Sequence, residues 1–190
     1  MSNNYPTSYN QFKKLQDLRK HKEFKKGFIR FATRYRLAKS FTGINAEGIG
    51  NTIKGYNVIT KVFLVYTAYE QLLRSALGLH VFGLRRVEEN TVIDLNLANK
   101  LRSNTELVNF LIANCNDSIL LSQLVQFKSN KNNDIVCVTY AIRNVFAHGE
   151  LTATAVGTTR ATQRTNLLNL ADFLLKYCDD TFTKCVEKLR

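Results

Sequence analysis

Apolar side chains return every three to four positions along most of this chain, the spacing that turns one face of an α-helix toward a core. Val58, Val62, Val65, Tyr69, Leu72, Ala76 and Leu79 keep that spacing through a long helix closed by Gly78 and Gly83. Leu167, Ala171, Leu174, Cys178, Phe182, Cys185 and Leu189 keep it through another over 164–189. Shorter helices fill the interval. One covers 91–102. The next carries Leu107, Phe110 and Leu111 behind a capping box of Ser103 and Glu106. A third, started by Asp117, presents Leu120, Leu121, Leu124 and Phe127. A fourth is started by Asp134, carries Val136, Tyr140 and Phe146, and is stopped by Gly149. Residues 150–163, rich in Thr, Ala and Gly, read as a loop.

Upstream, residues 8–40 predict one or two basic amphipathic helices. Phe24, Phe28, Phe31 and Tyr35 fall on one stripe, and Lys22, Lys26, Arg30 and Arg34 form an adjacent ridge. Four glycines within 43–55 mark the candidate boundary. The chain thus divides into a basic helical arm (1–42), a Gly-rich loop (43–55) and a helical-bundle domain (56–190). The fold class is all-α, a helical bundle with an N-terminal basic extension.

Composition agrees. A chain of 190 residues with 45% hydrophobic residues can bury a full core, and a single proline with nine glycines favours helix over a many-stranded sheet. Charge adds something new. Residues 1–39 hold eleven Lys/Arg against Asp17 and Glu23, leaving +9 of the chain's +12 in that stretch. Such polarity suits a polyanion, nucleic acid ahead of membrane, because no lipidation or spanning signal accompanies it; its bland alternative is a solvated face. For the aromatic stripe, core packing is favoured over base stacking, and the cations stay exposed in both readings.

Cys115, Cys137, Cys178 and Cys185 lack Cys-x-x-Cys spacing and lie in apolar helical contexts, so zinc and disulfides are not expected. The start of the chain lacks the apolar run of a secretory signal, so a cytoplasmic protein with reduced thiols and no membrane span is expected. Gly48, Gly50 and Gly55 follow no predicted strand and precede no Gly-Lys-Ser/Thr, so a phosphate-cradling loop is excluded. No cofactor or metal is expected.

The segment Arg143-Asn144-Val145-Phe146-Ala147-His148-Gly149 carries the candidate chemistry. An arginine holds a phosphate with its planar fork of donors, and an imidazole moves protons near neutral pH. The bare spacing is common, since Arg74 and His80 also satisfy it. The Asn beside Arg143 and the terminating Gly after His148 distinguish the later pair. A histidine in a last helical turn is also favourable without catalysis, and Arg143 can simply pair with an acid, so these alternatives stay open.

With a long helix bearing Tyr69-Glu70 before it, a polar loop after it and a Leu-rich last helix, this segment resembles the Arg-x4-6-His signature of the HEPN superfamily over about residues 56–189. The resemblance implies a homodimer in which two motifs face one cleft and, in active members, RNA is cut without metal. His148 would be general base or acid, Arg143 the phosphate ligand and Asn144 a positioning group. Glu70 would orient one of them; the alternative for Glu70 is an i,i+4 pair with Arg74. The setting implied is defence or a toxin with an antitoxin or regulatory partner. Glu150 stands where some members carry the tyrosine modified by nucleotidyltransferase antitoxins, so that form of control is not supported. A non-catalytic RNA-, nucleotide- or partner-binding helical module is the alternative.

Overall fold

A computed structural model describes residues 4–15, 22–47, 50, 52–76 and 92–190. Among them the chain is all-α, with eight helices: α1 (Tyr9–Lys14), α2 (Lys22–Ser40), α3 (Thr52–Ala76), α4 (Leu95–Arg102), α5 (Thr105–Ala113), α6 (Ser118–Lys128), α7 (Ile135–Ala147) and α8 (Ala161–Lys188). The only β pairing among the described residues is an isolated bridge between Ile93 and Asp134. No helix among them is long and apolar enough to cross a membrane. Leu79, Gly78, His80 and Gly83 lie outside the described residues, as does Gly48.

The chain folds into two compact units. One takes in residues 1–41, 64–90 and 172–190, the other 42–63 and 91–171. The first is organised by aromatic rings. Phe28, Phe31 and Tyr35 of α2 are buried, whereas Phe24 is only half-buried. Phe182 meets Phe12, Phe28 and Phe31 with ring centroids 5.7, 5.5 and 5.2 Å away, within the range of favourable edge and tilted contacts. Core packing therefore accounts for most of the aromatic stripe. Gly27 is needed for close approach, since a Cβ there would lie 2.6 Å from Ser75 Oγ.

The second unit is built from shorter, strongly capped helices. Asp117 Oδ1 accepts from the N–H groups of Ile119 and Leu120 at 2.9 and 3.0 Å, as an N-cap should. Asp134 Oδ1 accepts from Val136 N at 3.0 Å, starting α7, and from Val92 N at 2.9 Å. That second bond explains why the expected helix over 91–102 begins only at Leu95: Val92 is held extended against the start of α7, and Asp94 caps α4 through Leu97 N at 2.9 Å. The Ser103–Glu106 capping box does not form. Asn104 caps α5 instead, accepting from Leu107 N at 3.2 Å and donating to Val156 O at 3.3 Å, while Glu106 pairs with Arg160.

α3 also starts earlier than the Gly-rich loop suggested. Gly55 lies in its first turn, and a Cβ there would meet Ala153 Cβ and Thr158 Oγ1 at 2.6 Å each. This glycine serves close packing of a helix on the 151–160 segment.

Candidate functional site

Positions 141, 144, 145 and 148 lie on one face of α7, because residues three and four apart stack along a helix. Ala141 and Val145 are buried there, and Asn144 and His148 stand at the edge. How α7 ends fixes where His148 sits. Gly149 adopts φ 77°, its N–H donates to Phe146 O at 3.0 Å, and Glu150 N donates to Val145 O at 3.2 Å. This paired closure is the Schellman motif, and it makes His148 the C-cap.

Facing this edge is the turn between α5 and α6. α5 stops at Asn114, whose backbone N–H and side-chain Nδ2 both donate to Phe110 O, at 3.1 and 2.8 Å. Residues 115–117 then lead into α6. α5, α6 and α7 pack on one another, and where the turn meets α7 a cleft of about 490 Å³ opens. It is lined by Asn114, Cys115, Asn116, Asp117 and Ser118 on one side and by Asn144 and His148 on the other. Leu120, Ala141 and Val145 are its apolar lining. That volume is in the range of small-ligand sites.

Arg143 does not line the cleft. It is one position round the helix and reaches it through Asn144, Nη1 donating to Asn144 Oδ1 at 2.8 Å. Its Nε is buried and has no hydrogen-bond partner among the described residues, and no described carboxylate forms an ion pair with it. A half-buried guanidinium with an unmet donor is a position that an anion would stabilise. The His148 imidazole is exposed and no described side chain orients it.

Glu70 belongs to the other unit. Its carboxylate receives Arg74 Nη2 at 2.8 Å, the i,i+4 pair on α3. Arg74 is thereby engaged as well. Lys26, Arg30 and Arg34 lie exposed on α2, Arg34 Nη1 donating to Thr67 O at 3.2 Å. Lys22 begins the same helix, and its side chain lies outside the described residues.

Cys115 departs from the expected apolar helical context. α5 ends before it, so it is a loop residue with a partly exposed thiol donating to Asp117 O at 3.4 Å. Cys137, Cys178 and Cys185 are buried free thiols, and burial pushes their pKa up, for Cys185 to about 12. No group of three or more His, Cys, Asp and Glu that could hold a metal ion occurs among the described residues.

No family model matches the chain, nor does any curated protein or solved structure.

Proposed function

We propose that this chain is a metal-independent endoribonuclease of HEPN type, acting in the cytoplasm as a homodimer in a defence or toxin setting. The observation that carries the reading is the shared edge of Asn144 and His148 on one cleft, with an Arg143 guanidinium that pairs with no carboxylate among the described residues and is hydrogen-bonded to Asn144. RNA supplies its own nucleophile. The 2′-oxygen–phosphorus bond forms as the phosphorus–5′-oxygen bond breaks, leaving a 2′,3′-cyclic phosphate and a free 5′-hydroxyl. The reaction requires removal of the 2′-hydroxyl proton, delivery of a proton to the 5′-oxygen, and stabilisation of the crowded phosphorane.

In this reading His148 transfers one proton and its copy in the second subunit transfers the other. Arg143 holds the phosphate, and Asn144 ties guanidinium to cleft. Glu70, joined to Arg74, takes the i,i+4 pair in this reading and not the orienting of Arg143 or His148. Lys22, Lys26, Arg30 and Arg34 neutralise backbone phosphates on the way in.

His148→Ala and Arg143→Ala are each expected to lower EDTA-resistant RNA cleavage by about 10²–10⁴-fold, the usual weight of a proton-transfer or charge-stabilising group. Helical circular dichroism should be retained. Undiminished cleavage by either purified variant sinks the assignment, as does a product without the cyclic phosphate end. Lys26→Glu with Arg30→Glu should flatten the log–log salt dependence of single-stranded RNA binding by about 1.4, at about 0.7 per lost phosphate contact.

A second reading, a non-catalytic RNA-, nucleotide- or partner-binding module, draws on the His148 imidazole having no orienting hydrogen bond among the described residues. It expects salt-sensitive RNA affinity with no cyclic phosphate product.

A further inference from the structure

The cleft is a poor seat for a phosphate. No lysine or arginine is among its lining residues, and Asp117 contributes a carboxylate. The rest of its lining is three amides, a hydroxyl, the Cys115 thiol, the His148 imidazole and the apolar Leu120, Ala141 and Val145, chemistry that can receive a planar, neutral base.

The α5–α6 turn carries one charged group, the Asp117 carboxylate, and it is an acceptor. Asp117 spends Oδ1 on Ile119 N and Leu120 N, and Oδ2 accepts from no described residue. Asn114 donates one Nδ2 hydrogen to Phe110 O, which leaves Oδ1 as an acceptor and the second Nδ2 hydrogen as a donor unspent on any described residue. Across the cleft, Asn144 spends its acceptor on Arg143, leaving Nδ2 as a donor. Asn116 is exposed and bonds to no described residue. One wall thus offers Asp117 Oδ2, the one carboxylate acceptor of the lining, beside Asn114 Oδ1 and the mixed donors and acceptors of Asn116 and Ser118, and the other offers Asn144 Nδ2 beside the His148 imidazole.

We infer that this cleft is a nucleobase subsite selecting bases with an exocyclic amino group, with Asp117 Oδ2 and Asn114 Oδ1 accepting from the base edge. Cytosine and uracil separate the idea from simple stacking. They have the same shape, but cytosine turns an amino donor where uracil turns a carbonyl oxygen, which the Asp117 carboxylate would repel. The inference deepens the ribonuclease reading: Arg143, bonded to Asn144 beside the cleft, would meet the phosphate adjoining the base held between 114–118 and α7.

The test is titration of the full chain with cytidine 2′-monophosphate and uridine 2′-monophosphate, followed by calorimetry or amide NMR shifts. The cytidine nucleotide should bind about tenfold more tightly, the discrimination expected of one well-made contact to a base edge. Asp117→Asn should level or invert the ratio, because asparagine is an equally good N-cap but replaces Oδ2 with a donor. Equal affinities in the unsubstituted protein, or binding of neither nucleotide, would overturn the inference, as would a ratio untouched by Asp117→Asn in a variant with native helical content. Neither readout depends on catalysis. Base discrimination without RNA cleavage keeps this subsite and discards the ribonuclease, whereas cleavage without discrimination does the reverse.

Discussion

The two units bury their residues in contrasting ways. In the first, rings of Phe12, Phe28, Phe31 and Phe182 converge at centroid spacings near 5–6 Å, and Tyr35 lies against the same ring system. In the second, aliphatic side chains of α5, α6 and α7 fill the interior, and acidic or amide caps do the organising: Asp94, Asn104, Asp117 and Asp134. The candidate chemistry belongs to the capped unit. Asn104 and Asp134 are buried caps that hold the fold, whereas Asp117 is exposed where the chain surfaces at the start of α6. An aromatic interior offers stability but no accessible donors or acceptors, so stability and chemistry are carried by different residues.

Phe182→Ala gives the sharpest break of that contrast. It removes the ring that meets three others and is expected to cost about 3–5 kcal/mol, the range for deleting a buried phenylalanine. Urea unfolding with an unchanged m-value measures it. A loss under about 1 kcal/mol would mean the rings are loosely packed. Next in size is Gly55→Ala. Its Cβ would meet Ala153 and Thr158 at 2.6 Å, so overpacking of about 1–3 kcal/mol is expected in the capped unit. An unchanged midpoint would show that the 151–160 segment yields.

Asp134 tests the caps themselves. Asp134→Ala removes acceptance from Val92 N and Val136 N and should cost about 1–2 kcal/mol. Asp134→Asn keeps the cap, and its comparison with wild type is a pH experiment. Desolvation by burial raises the Asp134 pKa, with the bonds from Val92 and Val136 pulling it down less strongly. A carboxyl whose folded pKa lies above its unfolded one contributes most when protonated and loses that contribution as pH rises through the raised value. The wild type should therefore gain on Asp134→Asn as pH falls from neutrality into the carboxylate range. The opposite slope would make the two backbone bonds the stronger influence.

How much of this was legible follows the range of the interactions. Asp117, Asp134 and Gly149 could be read because a cap acts within one helical turn, and the α2 stripe because a buried face has a period. Ser103 with Glu106 matched the capping-box pattern, yet Asn104 won the cap because its amide also reaches Val156, and Glu106 was drawn to Arg160. Neither partner is local. The opposite wall of the cleft was invisible for the same reason. Asn114, Cys115, Asn116 and Ser118 have no periodic or motif signal, and acquire meaning only when α5 and α6 pack on α7. The Arg143 to His148 segment announced its residue types, whereas the split that puts Asn144 and His148 on the cleft and Arg143 beside it required the helix.

The smallest effect on stability is expected where the largest effect on activity is. His148 is exposed, its side chain bonds to no described residue, and the helix end is closed by backbone bonds from Gly149 and Glu150 that an alanine would keep. What His148→Ala removes from the fold is at most a charged side chain's attraction to the last carbonyls, about 0.3–1 kcal/mol when protonated and less when neutral. Thermal or urea unfolding at neutral pH should then place the variant within about 0.5 kcal/mol of the wild type. A loss above about 2 kcal/mol would show that the imidazole is a structural member of the capped unit, and any accompanying loss of RNA cleavage would then report on folding. Native stability with cleavage gone would leave proton transfer as the reason the histidine is there.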